Sequence, residues 1–152
     1  MTKACKVIES LHGKSLATAE SCTGGLIGGA LTAVAGASGV YKGGIICYQN
    51  AIKQRLLGVD EQVLRESGAI SAPVAMDMAA GARNALNADY AVSVTGLAGP
   101  GGDDYGNPVG TVFIGFADEN GAICEEFHFS GDREAVRRLA VDAALELILK
   151  RI

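Results

Sequence analysis

Basic residues are too few to suggest a nucleic-acid-binding face. Thirteen Lys and Arg stand against 17 Asp and Glu, for a net charge of −4. A local basic pocket for one phosphate remains compatible with that balance. Histidine is scarcer, with only His12 and His128. His12 falls at a helix end and His128 in a strand, so both read as structural or solvent-facing, and a Ser-His-Asp site is hard to assemble. The cysteines Cys5, Cys22, Cys47 and Cys124 form no C-x-x-C pair and match no zinc spacing. They read as free thiols in a reducing, cytoplasmic setting, with no metal and no cofactor expected. The most apolar stretch, 26–40, is about 15 residues long and broken by glycines, too short for a membrane span. Neither G-x-G-x-x-G nor a Walker loop occurs. There is no signal peptide, internal repeat, linker or low-complexity tail, so residues 1–152 read as one domain.

Glycine, by contrast, is abundant, at 21 residues, and hydrophobic residues make up 49% of the chain. The first implies tight turns or close backbone approaches, the second a well-filled core. Periodicity predicts helices over 3–11, 23–35, 50–57, 60–66, 72–86 and 132–152. Strands are predicted over 15–21, 43–48 and 89–95, with a hairpin of 110–117 and 122–129 across Asp118-Glu119-Asn120-Gly121. Strands alternating with helices, then a hairpin, predict a single-domain α/β layered fold with a mixed β-sheet flanked by helices.

Four segments carry candidate chemistry. In Ala19-Glu20-Ser21-Cys22-Thr23-Gly24-Gly25 a strand gives way to a helix, where unpaired N–H groups and the helix dipole favour negative charge. Ser21 there reads either as a nucleophile beside an oxyanion-binding backbone or, with Thr23, as a helix cap. Cys22 reads as a small buried residue, a thiol nucleophile being the lesser alternative without a His partner. In Tyr48-Gln49-Asn50-Ala51-Ile52-Lys53, a neutral lysine would be a general base and a tyrosine a proton relay; composition alone makes Lys53 a solvated surface residue. The loop from Thr95 through Gly96, Gly99, Gly101 and Gly102 follows an apolar strand, where α/β proteins bind ligands. In Gly131-Asp132-Arg133-Glu134-Ala135-Val136-Arg137-Arg138, Arg137 and Arg138 flank the core side as phosphate candidates, while Arg133 reads as part of a solvated face.

Together these segments resemble the CinA C-terminal domain family, the nicotinamide mononucleotide deamidases. The resemblance rests on LATAESCTGG, YKGGIICYQNAIKQRLLGV, SGAISAPVA, SVTGLAGPGG with NPVGTVFIG, and F-x-GDRE-x-V-R, in one order over about residues 3–150. The length is similar to the family's stand-alone form. The resemblance implies hydrolysis of the carboxamide of nicotinamide mononucleotide (NMN) to nicotinic acid mononucleotide and ammonia. It implies Ser21 as nucleophile, with Tyr48 and Lys53 completing a triad. Cys22, Thr23, Gly24, Gly25, Thr95 and the glycine loop would line the substrate, and Arg137 or Arg138 would meet its phosphate. The expected partner is a small molecule, without nucleic acid or membrane, and a homodimer is a further expectation. The competing reading is a non-catalytic nucleotide-binding module in competence or damage response, served by the same loop and arginines.

Overall fold

The computed structural model describes all residues 1–152. Its sheet has five strands: β1 (Leu16–Glu20), β2 (Tyr41–Ile46), β3 (Tyr90–Gly96), β4 (Thr111–Asp118) and β5 (Gly121–His128), in the order β2-β1-β3-β4-β5. β1 runs parallel to β2 and β3, whereas β4 and β5 are antiparallel, so the sheet is mixed, as alternation and hairpin predict.

Six helices cover it: α1 (Lys3–Ser10), α2 (Leu26–Thr32), α3 (Asn50–Leu57), α4 (Glu61–Ser67), α5 (Ala72–Ala85) and α6 (Arg133–Arg151). Their starts follow the local chemistry. Thr2, Asp60 and Asp132 accept from N–H groups of the first turns of α1, α4 and α6, and Pro73 sits where α5 has no need of its N–H. Along β3, Val92 and Val94 face a core built with α1, α2 and α6, while Ala91 faces a second core built with α3, α4 and α5. That two-sided burial is why β3 and β4 read as nearly continuous apolar runs. No helix is long and apolar enough to cross a membrane.

The main departures from expectation are α2, which spans 26–32 and not 23–35, and β2, which spans 41–46 and not 43–48. The helix expected over 23–35 begins at Leu26. Gly24 and Gly25 take positive φ (+60° and +108°), and residues 21–25 form a turn instead. The strand expected over 43–48 ends at Ile46: Cys47 keeps one bond to β1, its N–H donating to the Glu20 carbonyl, while the Cys47 and Tyr48 carbonyls accept from Lys53.

Because β1 lies between β2 and β3, the chain leaves β1 toward one side of the sheet while β3 pairs on the other. That topological switch, at the carboxyl ends of parallel strands, is where open α/β sheets form their ligand crevice. Ser21 directly follows β1, Tyr48 follows β2, and the glycine loop follows β3.

Candidate active site

The crevice at the switch point is a hollow of about 510 Å³, within the range of small-molecule sites. Ser21 and Cys22 line it from the β1 turn, Tyr48 and Lys53 from the segment after β2, and Thr95 through Gly102 from the end of β3 and the loop that follows it.

Lys53 is the decisive placement. It is no surface lysine: only 1% of it is exposed. Its Nζ lies 2.9 Å from Ser21 Oγ, 2.7 Å from the Cys47 carbonyl and 3.3 Å from the Tyr48 carbonyl. Burial holds its pKa below the ordinary value of 10.5, with the neighbouring Cys47 and Cys22 opposing the shift. Burial likewise pushes the Cys22 thiol up to about 11, which favours its protonated form at neutral pH. Tyr48 is 60% exposed at the mouth. Its hydroxyl accepts from Arg133 Nη2 at 3.1 Å and makes no hydrogen bond to Ser21 or Lys53.

The turn after β1 is organised by a residue the sequence reading passed over. Glu20 is buried, and its carboxylate accepts from Thr23 Oγ1 at 2.7 Å and from the N–H groups of Gly25, Ile27 and Gly28. The anion seat expected at this helix start is therefore filled from within. Thr23 is fully buried as Glu20's donor, and Gly24 and Gly25 serve the turn's geometry; none of the three lines the hollow. A signal was available: an acid immediately before a helix start is what the dipole favours. Every N–H from Ser21 to Gly28 has an acceptor in the protein except two. Ser21 donates to Val94, Gly24 to Ser21 and Leu26 to Thr23; Gly25, Ile27 and Gly28 donate to Glu20, leaving Cys22 and Thr23.

The arginines are arranged differently from expectation. Arg133, assigned to a solvated face, is the one that lines the hollow, donating to the Gly99 carbonyl at 2.7 Å and to Tyr48. Arg137 turns to the turn after β1, its Nε donating to the Cys22 carbonyl at 2.9 Å. Arg138 is exposed on a separate outer hollow along α6. Neither Arg137 nor Arg138 lines the pocket that holds Ser21.

In the glycine loop, Gly96 is required by close approach: a Cβ there would stand 2.7 Å from Val112 Cγ2 and 3.2 Å from Cys22 Sγ. Thr95 Oγ1 donates to the Ala69 carbonyl, tying β3 to the segment before α5. Farther along, Asp103 binds the Tyr105 and Asn107 N–H groups, and Tyr105 donates to the Leu64 and Arg65 carbonyls. Asp103 and Tyr105 thus brace the loop. No three His, Cys, Asp or Glu side chains come together in a cluster suited to a metal ion.

The arrangement has close counterparts among known proteins. The profile of the CinA C-terminal domain family matches residues 2–152. The nicotinamide-nucleotide amidohydrolase PncC of Escherichia coli (strain K12) is 46% identical over 138 residues, covering 90% of this chain and 84% of that protein. A CinA-like protein of Geobacter metallireducens is 46% identical over 140 residues, which are 92% of this chain but 34% of that protein. The chain thus spans about a third of the length of the CinA-like relatives it matches. The crystal structure of a competence-damaged protein (CinA) superfamily protein from Escherichia coli superposes with a TM-score of 0.96 at 34% identity, covering 99% of this chain and 88% of that one. The competence/damage-inducible protein of Agrobacterium tumefaciens gives 0.91 at 37% identity, covering 99% and 96%.

Proposed function

This chain belongs to the CinA C-terminal domain family, and from that premise we propose that it is an amidohydrolase deamidating NMN through a serine nucleophile. The observation that carries this reading is the 2.9 Å contact of buried Lys53 Nζ with Ser21 Oγ. A neutral amine has two N–H bonds and one lone pair. The Cys47 and Tyr48 carbonyls engage the two N–H bonds, which leaves the lone pair for the Ser21 hydroxyl proton. Burial favours that neutral form.

In the proposed mechanism Lys53 takes the proton of Ser21 as Oγ attacks the carboxamide carbon. The free N–H group of Cys22, a residue that lines the hollow, receives the developing oxyanion, since the turn's other donors are engaged or buried away from it. The tetrahedral intermediate collapses with cleavage of the C–N bond, and Lys53 returns the proton to the leaving nitrogen, which departs as ammonia. Water then adds to the acyl ester, giving its proton to Lys53. Cleavage of the C–Oγ bond yields the carboxylic acid and restores the Ser21 hydroxyl.

With Lys53 neutral, Arg133 is the cation lining the hollow, and we assign it to the substrate phosphate at the mouth. Tyr48 contributes its carbonyl to orient Lys53, and its hydroxyl, beside Arg133, meets the substrate. Gly99, Gly101 and Gly102 allow a flat ring to lie close to the backbone.

The test is turnover of NMN with hydroxylamine present as a competing nucleophile. An acyl-enzyme predicts ammonia release with the product divided between nicotinic acid mononucleotide and its hydroxamate. Binding of NMN without ammonia release would instead support the nucleotide-binding module.

A further inference from the structure

We propose that the backbone N–H of Ala98 is a second oxyanion donor, facing the hollow from the wall opposite Cys22. This inference rests on the serine mechanism above.

Serine hydrolases commonly hold the oxyanion with two backbone N–H groups, often one near the nucleophile and one from a separate loop. The turn after β1 offers the hollow only the N–H of Cys22. The opposite wall is the loop after β3. Ala98 lines the hollow there, is 4% exposed, and its N–H has no acceptor in the protein. Buried N–H groups without a partner are rare and call for an explanation.

The direction of that N–H follows from the sheet. β3 lies between β1 and β4. Leu97 turns both of its backbone groups toward the start of β4. Its N–H donates to the Thr111 carbonyl at 2.9 Å, and its carbonyl accepts from the Gly110 N–H at 2.8 Å. The peptide joining Leu97 to Ala98 is trans, so its C=O and N–H point in opposite directions. The Ala98 N–H is therefore turned away from β4, toward the β1 side of β3. Ser21 lies on that side, its own N–H donating to the Val94 carbonyl at 3.0 Å. Cys22 packs against the same stretch, a Cβ on Gly96 standing 3.2 Å from Cys22 Sγ.

The donor is also held still. Leu97 is tied to β4 on one side of it, and on the other the Gly99 carbonyl accepts from Arg133 Nη1 at 2.7 Å. A donor fixed in advance needs no reorganisation when the charge appears. The two donors thus come from the ends of neighbouring parallel strands, β1 and β3, while Lys53 enters from α3.

The experiment removes this one N–H in two ways. The first is an ester at position 98, with lactic acid in place of Ala98 introduced by suppression in cell-free translation. The second is Ala98→Pro. Each is compared with wild type in kcat and KM for NMN, in the pH dependence of kcat/KM, and in the rate at which a fluorophosphonate labels Ser21, read by intact mass. Melting curves establish folding, and the ester, which keeps the methyl side chain, carries the test where Ala98→Pro does not fold. The expected result is a fall of about 10²- to 10³-fold in kcat with KM nearly unchanged, the scale for one lost oxyanion donor. Labelling should slow in parallel, while the rising pH limb set by Lys53 keeps its midpoint. Unchanged kcat and labelling in the folded ester overturn the proposal. So does a rise in KM at constant kcat, which would make the N–H a ground-state ligand only. Should the wild type fail to turn over NMN, the deamidase reading falls separately and labelling decides alone. Equal labelling of wild type and ester then overturns the donor, as does a wild type that does not label.

Discussion

At the scale of single residues, Lys53 combines a desolvation cost with the role proposed for it as a base. Removing an ammonium from water disfavours its charged form, and a base must be uncharged to accept a proton. Because burial lowers its pKa from 10.5, the neutral fraction near physiological pH is larger than for a surface lysine. Activity should therefore rise with pH along a limb whose midpoint lies below 10.5, measured as kcat/KM against pH. Lys53→Arg should remove both limb and activity, since a guanidinium stays protonated. At Arg133 the expectation differs in kind. Losing a charge-assisted contact of about 1.5–3 kcal/mol should raise KM for NMN about 10- to 100-fold in Arg133→Met. An unchanged KM would remove Arg133 from the phosphate. The three arginines show why the sequence alone did not place Arg133 at the hollow. Helical spacing gives the angular position of Arg133, Arg137 and Arg138 on α6, but which carbonyl each long side chain meets depends on loops distant in sequence.

At the scale of elements, the site depends on helices lying close to the sheet. A Cβ on Gly115 of β4 would stand 2.4 Å from the Ala75 carbonyl of α5 and 2.5 Å from Ser93 Oγ, which itself donates to that carbonyl. Gly115→Val should thus lower stability by about 1–3 kcal/mol, read from denaturant melts, by forcing α5 off the sheet. Much of this level was legible in the sequence. All five strands were anticipated within a few residues, since β3 and β4 are strongly apolar and Asn120-Gly121 marks the hairpin. The errors cluster at α2 and β2, where backbone groups are diverted into the pocket. Glu20 substitutes for solvent at the α2 start, and Lys53 captures the carbonyls beyond β2. Periodicity reports which residues face a core, not which backbone groups a buried charge will claim. Ser21 could be picked out because strand, turn and Gly-Gly are contiguous. Lys53 stands out only once the fold brings its Nζ to Ser21 Oγ.

At the scale of the whole molecule, the order β2-β1-β3-β4-β5 turns three separated segments into one crevice. Binding there ties together the ends of three strands, so a ligand that does not bind the unfolded chain should stabilise the entire domain. For Ser21→Ala, which should bind without turning over, NMN at about 100 times its dissociation constant adds about 2.7 kcal/mol. That is about 5–10 °C in Tm for a chain of this size, measured by calorimetry. No shift would mean that the crevice does not hold this nucleotide. The cores on the two faces of the sheet tie the crevice walls into one framework, which suits a reaction needing fixed donors more than a closing lid.

The central claim is that Ser21, activated by Lys53, forms a bond to the substrate. Steady-state ammonia release from NMN by wild type and Ser21→Ala, in one assay with melting curves matched, tests it most directly. The account predicts a loss of about 10⁴-fold or more in kcat for Ser21→Ala, the scale seen when a catalytic nucleophile is removed. A Ser21→Ala protein retaining a tenth or so of wild-type kcat, a cost of only about 1.4 kcal/mol, would contradict it and leave the nucleophile elsewhere.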